Sequence, residues 1–300
     1  MAPVGRMLFC QISPLTYQIS VQKGIFLRNL KDLFSHVHFA KNYSLRPLPY
    51  CCYSHRSLIR RRLQNVDLQL QENKAVNLSL AAPKVNGILI RPGETLSFWH
   101  LVGSLTAKKG YREGLTIESG VPSQGIGGGM CQFTNLIHWM ALHSPLEVAE
   151  HHHHNGIDLF PDFGRQLPFG VGTSIFYNYL DYRLYNPTDA TFQLFAWVEG
   201  EYLCGELRCS FPLPVKYHIR EEESYFTWEA DGVYRHNKVY RRGVDKATGG
   251  ILFDQLLLEN HSRVLYDPGL VDPERFLSFR ASTLSRFSQA TPRSSRPIWP

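Results

Sequence analysis

A run of glycines directly before a cysteine and a strongly periodic helix constrains the fold of this sequence more than any other feature. Five glycines lie within residues 120–129, which favours a loop. Residues 131–143 then carry apolar side chains at three- and four-residue steps, and Ser144-Pro145 ends the pattern. The sequence therefore predicts a loop that places Cys131 in the first turn of a helix.

Short apolar stretches separated by turn residues lie on both sides of this helix and predict strands. They are residues 88–90, 96–99, 114–119, 146–154, 173–184, 190–198, 202–209, 216–220, 225–229 and 233–241. Upstream, residues 24–40 and 54–70 show apolar side chains at helical spacing. We predict an α+β fold, in which a mixed, mostly antiparallel sheet packs on the cysteine-bearing helix and an α-helical N-terminal extension precedes it.

Charge is distributed unevenly along the 300 residues, and it suggests how the chain is organised. Residues 1–80 carry a formal charge of +8 and residues 273–300 carry +4, so the rest of the chain carries −6, for a total of +6. Basic ends fit nucleic acid or an anionic membrane surface, but no basic and aromatic module for RNA or DNA is visible, and no nucleic-acid partner is predicted. We predict a basic, partly helical N-terminal extension over residues 1–80, a core domain over 81–212, a β-rich C-terminal part of the same domain over 213–272, and a disordered basic tail over 273–300.

The six cysteines do not form the pattern of a disulfide scaffold, because no CxxC pair occurs. Cys204 and Cys209 are near enough in sequence to pair across a hairpin. No stretch approaches the ~20 apolar residues of a membrane-spanning helix, so no integral membrane segment is predicted. The apolar run at residues 7–10 is too short for a signal peptide, which predicts a cytoplasmic location.

Cys131 is the candidate nucleophile. In the first turn of a helix, free backbone N–H groups and the helix dipole stabilise negative charge, and the pKa of a thiol there can fall from ~8.5 into the range ~3.5–7.5. Gly127, Gly128 and Gly129 would let a substrate backbone approach the sulfur, while Gln132 and backbone N–H groups would stabilise an oxyanion. A buried cysteine packed under a glycine turn is the alternative, and these residues alone support both equally.

Four consecutive histidines at residues 151–154 follow the helix after one predicted strand. On a strand, His152 and His154 share one face, which would meet the helix start that carries Cys131. One of them would act as general base and later protonate the leaving group. Asn178, with Asp181 as a second candidate, would orient that histidine from the next strand.

Two other interpretations of the histidine run remain open at this point. Two histidines on one face would bind a metal together with Glu150, Asp158 or Asp162, or the run would be a polar surface strand. Among possible substrate contacts, Trp99 and Tyr177 are aromatic candidates, although such residues are more often part of a core. Arg165, in a glycine-flanked loop, is a candidate partner for a substrate carboxylate.

A series of short motifs runs through the middle of the chain in a characteristic order. They are Asn86-Gly87, Arg91 to Trp99, Gly103, Gly110-Tyr111, Gly127 to Gln132 with Thr134-Asn135, Glu150 with the histidines after it, Leu159 to Pro161, Gly164-Arg165, Pro168 to Gly170, Phe176 to Tyr179 and Leu184 to Asn186. Together these motifs resemble the VanW family of bacterial cell-envelope proteins. The ordered combination is specific, although no single motif is.

The resemblance implies a function for Cys131. The family is linked to glycopeptide resistance, and its domain has been connected with L,D-transpeptidation of peptidoglycan through the cysteine of this motif. It therefore implies an enzyme without a cofactor or metal, located at the cell envelope, whose thiolate attacks a peptidoglycan stem peptide or its precursor and passes the acyl group to an amine. His151 stands where family members often have arginine, which would make basic assistance there pH-dependent. The alternatives are a non-catalytic module that binds wall precursors or glycopeptide, and a histidine-rich metal-binding protein.

Overall fold

The computed structural model describes residues 8–61, 67–118, 121–153, 156–177 and 180–277. Four helices and fifteen strands occur in these ranges, with four short 3-10 helices at Phe9–Gln11, Ala107–Lys109, Pro268–Leu270 and Pro273–Arg275. In chain order the main elements are α1 (Pro14–Phe34), β1 (His38–Phe39), β2 (Asn42–Tyr43), β3 (Tyr50–Leu58), α2 (Leu68–Val85), β4 (Ile88–Ile90), β5 (Glu94–Ser97), α3 (Phe98–Val102), β6 (Glu113–Glu118), β7 (Val121–Ile126), α4 (Met130–Leu142), β8 (Glu147–Glu150), β9 (Ile157–Asp158), β10 (Arg183–Tyr185), β11 (Phe192–Glu199), β12 (Tyr202–Cys209), β13 (Val215–Glu229), β14 (Gly232–Asp245) and β15 (Ile251–Val264).

The main core lies between helices α2 and α4 and a five-stranded antiparallel sheet with the order β2-β4-β11-β12-β3. Helix α4 buries Phe133, Leu136 and Met140 against this sheet. Gly205 in β12 permits the close approach, because a Cβ there would lie 2.6 Å from Cε of Met140. The predicted α+β class, with mostly antiparallel strands and a helical N-terminal extension, is confirmed, and Cys131 is the second residue of α4.

Three smaller sheets surround this core. One has the order β1-β5-β10-β8 and mixes parallel with antiparallel pairs, and β6 and β7 form a separate hairpin. The third is built from the long strands β13, β14 and β15, with β9 added in parallel at its edge. Its first hairpin turns at Ala230-Asp231, one residue before the predicted Asp231-Gly232, because Gly232 already pairs with Glu229 as the first residue of β14.

Helix α1 precedes these layers and has no fully buried residue. It begins after a capping box formed by Ser13 and Thr16 with Pro14 in the first turn, which explains why it starts well before the predicted residue 24. Its links to the body are ionic. Arg28 pairs with Glu150, and Arg183 donates to the carboxylate of Asp32 at 2.8 Å.

Several local predictions were wrong, and pairing between distant segments is the main reason. Residues 54–70 do not form one helix: β3 ends at Leu58 and pairs with β12, whereas α2 starts only at Leu68. Residues 121–126 belong to β7 rather than to a loop, and residues 173–177 and 180–182 are largely irregular. The sequence left open whether Cys204 and Cys209 form a disulfide, and both are free thiols on the same strand, β12.

The predicted division of the chain after residues 80, 212 and 272 stays a prediction, although residue 80 lies within α2. Of the predicted disordered tail, residues 278–300 lie outside the described residues, and Pro273–Arg275 forms a short 3-10 helix. Within the described part of the chain, no helix combines the length and apolar character needed to cross a bilayer.

Candidate active site

Cys131 lies on the wall of a cleft of about 330 Å³. Helix α4 contributes Cys131, Gln132 and Asn135 to it, and the remaining walls come from β3, α2, β6 and the segment 157–173. The cleft therefore joins elements that are distant in sequence. Of the predicted site residues, Gly129, Cys131, Gln132 and Arg165 line it.

The glycine turn before α4 is tightly packed. Gly127 and Gly129 have φ of +80° and +106°, which favour glycine. Gly128 lies against β6, where a Cβ would be 2.7 Å from Cα of Gly114. Asn77 of α2 donates to the carbonyl oxygens of Gly128 and Arg112, both at 3.0 Å. The turn is thus fixed by β6 and α2, and Gly127 and Gly128 are not among the residues that line the cleft.

Burial raises the pKa of the Cys131 thiol, while backbone N–H groups of Ile175 and of Cys131 itself lower it by a smaller amount. The sequence predicted a lowered pKa from the start of the helix. That prediction was wrong for the free protein, because desolvation outweighs the backbone donors. A thiolate at Cys131 therefore needs a base or a bound substrate that changes its surroundings.

The histidine run does not continue strand β8, which ends at Glu150. The predicted alternation of two faces was therefore wrong. His152 lies 3.0 Å from the carboxylate of Glu150 and does not line the cleft, whereas His153 does. His154, the other predicted catalytic histidine, lies outside the described residues.

Three imidazole rings form a column that leads from the core to the cleft. His138, buried in α4, is 2.9 Å from the hydroxyl of Tyr182 and stacks on His151 with 4.5 Å between ring centroids. His151 in turn stacks on His153 at 5.4 Å. Burial lowers the pKa of both His138 and His151, so these two rings are neutral at physiological pH. Only His153 of the three lines the cleft.

The segment that begins at Thr173 and covers Cys131 is held to α4 by hydrogen bonds between Asn135 and Thr173. Oδ1 of Asn135 accepts from the backbone N–H of Thr173 at 2.6 Å and from its hydroxyl at 2.9 Å. The side chain of Gln132 is engaged elsewhere, because its Nε2 donates to Oγ of Ser57 at 2.8 Å and to the carbonyl of Leu58 at 2.9 Å. In this state, both N–H bonds of the Gln132 amide point to β3 rather than to the sulfur.

The predicted aromatic contacts lie at a second, smaller cavity. Trp99 and Tyr177 pack edge to face at 5.3 Å between ring centroids and line this cavity. Asp181 lies there as well, where its carboxylate accepts from Ser97, from the backbone of Trp99 and from Arg183. Asp181 therefore organises β5, α3 and β10, and Asn178 lies outside the described residues.

Arg165 lines the cleft, but it is already paired. Its Nε is 3.0 Å from Asp162, and its guanidinium lies over the ring of Phe169.

The sequence suggested a metal site formed by the histidine run with Glu150, Asp158 or Asp162. Among the described residues, possible metal ligands come close together at a different place. Glu229, His236 and His261, on the outer face of the β13-β14-β15 sheet, have ligand atoms within 4.8 Å of one another.

Lys74 of α2 is a cleft residue that the sequence analysis missed. It is 7% exposed, and a Cβ on Gly129 would lie 2.9 Å from its Cδ. Burial, together with the charges of Arg61 and Arg60, lowers the pKa of Lys74 from 10.5 to about 7. The signal was present, since Lys74 lies midway between Leu70 and Leu78 on the apolar stripe of α2.

We expect Lys74→Met to stabilise the protein by on the order of 2 kcal/mol near pH ~7, because a poorly solvated ammonium group is replaced by an apolar chain. The pKa of Lys74 is about 7 in the folded state and 10.5 in the unfolded state. The buried charge therefore destabilises the folded state fully below pH 7, and this destabilisation falls to zero as the pH rises from 7 to 10.5. Urea unfolding across that range should show the advantage shrinking. The exposed Lys41→Met serves as the control. If the difference in unfolding free energy between Lys74→Met and the native protein did not change with pH, the burial of a charge at Lys74 would be contradicted.

The comparisons agree with the motifs. The model of the family described as VanW like protein matches residues 73–208. A relative from Enterococcus faecalis, named vancomycin B-type resistance protein VanW, is 33% identical over 228 residues, which are 76% of this chain and 82% of the relative. The chain belongs to the VanW family. A second relative, the uncharacterized protein YoaR of Bacillus subtilis, is 31% identical over 83 residues, 28% of this chain and 27% of its own. No solved structure matches.

The VanW region contains most of the cleft. It begins within α2, just before Lys74, includes the glycine turn, Cys131 and the histidine column, and ends in β12. The β13-β14-β15 sheet lies beyond it and contributes Asn260 to the cleft wall. The cleft is thus completed from outside the matched segment, by this sheet and by residues of β3, Arg61 and Gln71, which precede residue 73.

Proposed function

We propose that this VanW protein is a cysteine acyltransferase of the L,D-transpeptidase type that acts on peptidoglycan stem peptides or their precursors. The observation that carries the proposal is the position of Cys131 in the first turn of α4, on the wall of a cleft of about 330 Å³. Such a cleft accommodates a short peptide, and the helix start supplies backbone donors beside the sulfur.

His153 is the proposed base, since it lines the same cleft and the two rings stacked behind it are kept neutral by burial. In the first step His153 takes the proton of the thiol, the sulfur attacks the peptide carbonyl carbon, and the C–N bond breaks as the leaving amine receives that proton. In the second step an acceptor amine attacks the thioester, the C–S bond breaks, and the proton of the amine returns to the sulfur through His153. The N–H of Ile175, which faces the sulfur in the free protein, is a candidate donor to the oxyanion.

The E. faecalis relative carries glycopeptide resistance in its name. We extend this role to the present chain as part of the proposal, together with a location at the cell envelope. In this reaction the terminal residue of the stem peptide leaves as the amine and the acceptor amine takes its place, which would change the structure that a glycopeptide recognises. This change connects the proposed chemistry with the proposed role. The cytoplasmic location predicted from the sequence stays a prediction.

The test is intact-mass analysis of the protein incubated with a synthetic stem tetrapeptide. We expect an acyl-enzyme adduct in the native protein and in Cys51→Ala, which removes an exposed thiol, but none in Cys131→Ala. The pKa of both thiols is raised, chiefly by burial, that of Cys51 to about 11, so accessibility should decide their order of labelling. Iodoacetamide should therefore modify the exposed Cys51 before the partly buried Cys131 in the free protein. An adduct that persists in Cys131→Ala would eliminate this cysteine as the nucleophile.

The raised pKa of Cys131 favours one other function, a non-catalytic module that binds wall precursors in the same cleft. In that case Cys131→Ser would retain full resistance activity in cells and unchanged peptide affinity. The acyltransferase proposal expects the same variant to lose resistance while it still binds the peptide.

A further inference from the structure

Four buried polar atoms without a hydrogen-bond partner among the described residues belong to side chains that line the same cleft. They are Oε1 of Gln71, Nε of Arg61, Oγ1 of Thr116 and Nε of Arg165. Arg165 has an ion-pair partner in Asp162, which leaves the first three. The ammonium group of Lys74 lines the cleft as well, and no carboxylate of the described residues forms an ion pair with it. Buried polar groups in folded proteins nearly always have partners, so a cluster of such groups in the wall of one cleft points to a ligand.

The cluster lies beside the proposed nucleophile. Gln71 and Lys74 are three residues apart on α2, and they therefore share one face of the helix. Both are largely buried, with 3% and 7% of their surface exposed. Lys74 packs against Gly129, which is two residues before Cys131. A peptide whose carbonyl reaches the sulfur therefore also extends along these side chains.

The chemistry of the cluster defines the ligand. Lys74, Arg61 and the hydroxyl of Thr116 are donors, and two of them are cations, whereas Oε1 of Gln71 is an acceptor. Three donors around one acceptor match a carboxylate next to an amide N–H, as in an amino-acid residue with a free acid group. The acidic groups nearby are already neutralised, because Asp158 and Asp162 pair with Arg235 and Arg165.

We infer that Lys74, Arg61, Thr116 and Gln71 form a subsite that binds a free carboxylate of the peptide substrate, with Lys74 and Arg61 as its cations and Gln71 as the acceptor of the neighbouring N–H. This inference rests on the proposed function, which makes the cleft a peptide-binding site. It adds a requirement for a charged substrate group close to the scissile bond. Two carboxylates of a stem peptide fit the description, the terminal one and the one on the acidic side chain.

Binding at this subsite should take up a proton. The carboxylate favours the charged form of Lys74, so affinity should be highest between about pH 5, where the carboxylate is ionised, and about pH 7, and should fall at higher pH. Other titratable or charged groups that line the cleft are His55, Arg61, Cys131, His153, Asp158 and Arg165. The pH dependence of Lys74→Met, compared with that of the native side chain, separates Lys74 from these groups.

The experiment is calorimetric titration of the Cys131→Ala protein with three synthetic stem tetrapeptides: one with both carboxylates free, one amidated at the C-terminus and one amidated at the acidic side chain. We expect one of the two amidations to weaken binding about tenfold or more, as for the loss of a hydrogen bond to a charged group. In Lys74→Met the same amidation should have a clearly smaller effect, since Arg61 is then the one remaining cation of the subsite. Lys84→Met, on the same helix but outside the cleft, should respond like the native residue.

The outcomes separate this inference from the proposed function. Equal affinity for all three peptides, in the presence of Lys74, would overturn the subsite even if an acyl-enzyme forms at Cys131. A preference for one free carboxylate that depends on Lys74, without any acyl-enzyme in the native protein, would support the subsite and leave Cys131 without its catalytic role. Because Lys74→Met is expected to be stable, loss of folding does not obscure the comparison.

Discussion

Arg235→Ala is expected to lower the free energy of unfolding by about 3 kcal/mol, because it removes a buried guanidinium that pairs with both Asp158 and Asp162. Arg165 and Arg275 remain as cations beside these carboxylates. The Arg235 side chain is 2% exposed and donates to Asp162 at 2.7 and 2.8 Å and to Asp158 at 3.3 Å. Its guanidinium also lies over the ring of Phe169, 4.3 Å from the centroid. These contacts tie β14 to the segment that forms one wall of the cleft, so the loss should reach the site as well as the core.

The effect of Arg235→Ala should depend on pH. Although burial opposes it, hydrogen bonding and the charge of Arg235 lower the pKa of Asp162 from 3.8 to about 2. The stabilisation from Asp162 is therefore present above about pH 3.8 and is lost as the pH falls toward 2. Denaturant unfolding should show a gap between native and variant protein that narrows over this interval. Arg242→Ala, which breaks an exposed pair with Asp254, is the control and should change stability far less. An equal loss of unfolding free energy in Arg235→Ala and Arg242→Ala would show that the burial of the Arg235 ion pairs does not increase their contribution to stability.

Gly128→Ala is expected to cost about 2–3 kcal/mol and to displace the first turn of α4. The added methyl group would meet the backbone of Gly114, and a backbone on a paired strand cannot rotate away as a side chain can. Because Cys131 is three residues further on, acyl-enzyme formation should fall together with stability. The matched control is Gly250→Ala, where the new Cβ meets only the hydroxyl of Thr248 at 3.2 Å.

Thermal unfolding and the rate of adduct formation are the two measurements for this pair. If Gly128→Ala and Gly250→Ala behaved alike in both, the close contact between the glycine turn and β6 would not exist in solution. A stable Gly128→Ala protein with normal adduct formation would show in addition that the start of α4 tolerates displacement.

Sequence patterns correctly predicted the elements that are determined by residues close together in the sequence. Helix α4 combines a glycine turn, an apolar stripe and a stop at Ser144-Pro145, and the observed helix ends within a residue of the prediction. The false helix at residues 54–70 arose because apolar residues of separate elements fell by chance at helical spacing. Ile59 follows β3 and Leu70 belongs to α2, and each is buried in its own context. Only the pairing of β3 with β12, some 150 residues away, decides that region.

In the candidate site, too, local motifs could be predicted from the sequence, whereas contacts between distant segments could not. The motif gave Cys131 and its helix, but the residues that complete the cleft arrive from distant elements, as Lys74 does from α2 and Thr116 from β6. The histidine run was assigned to a strand because its neighbours have strand character. The strand stops at Glu150, whose carboxylate accepts from Arg28 and from the backbone N–H of Asp181, and these long-range contacts turn the chain. No periodicity in the run itself carries that information.

Helix α1 is attached to the rest of the protein by Arg28 and Asp32, with its apolar side chains left outside. Salt should weaken these ion pairs only modestly, because their side chains are 7–18% exposed and buried pairs are screened less than exposed ones. If α1 detached, water would solvate the charged side chains of these ion pairs, and the hydrophobic core would stay buried. The first helix is therefore the element whose removal or displacement the protein should survive with its tertiary structure intact.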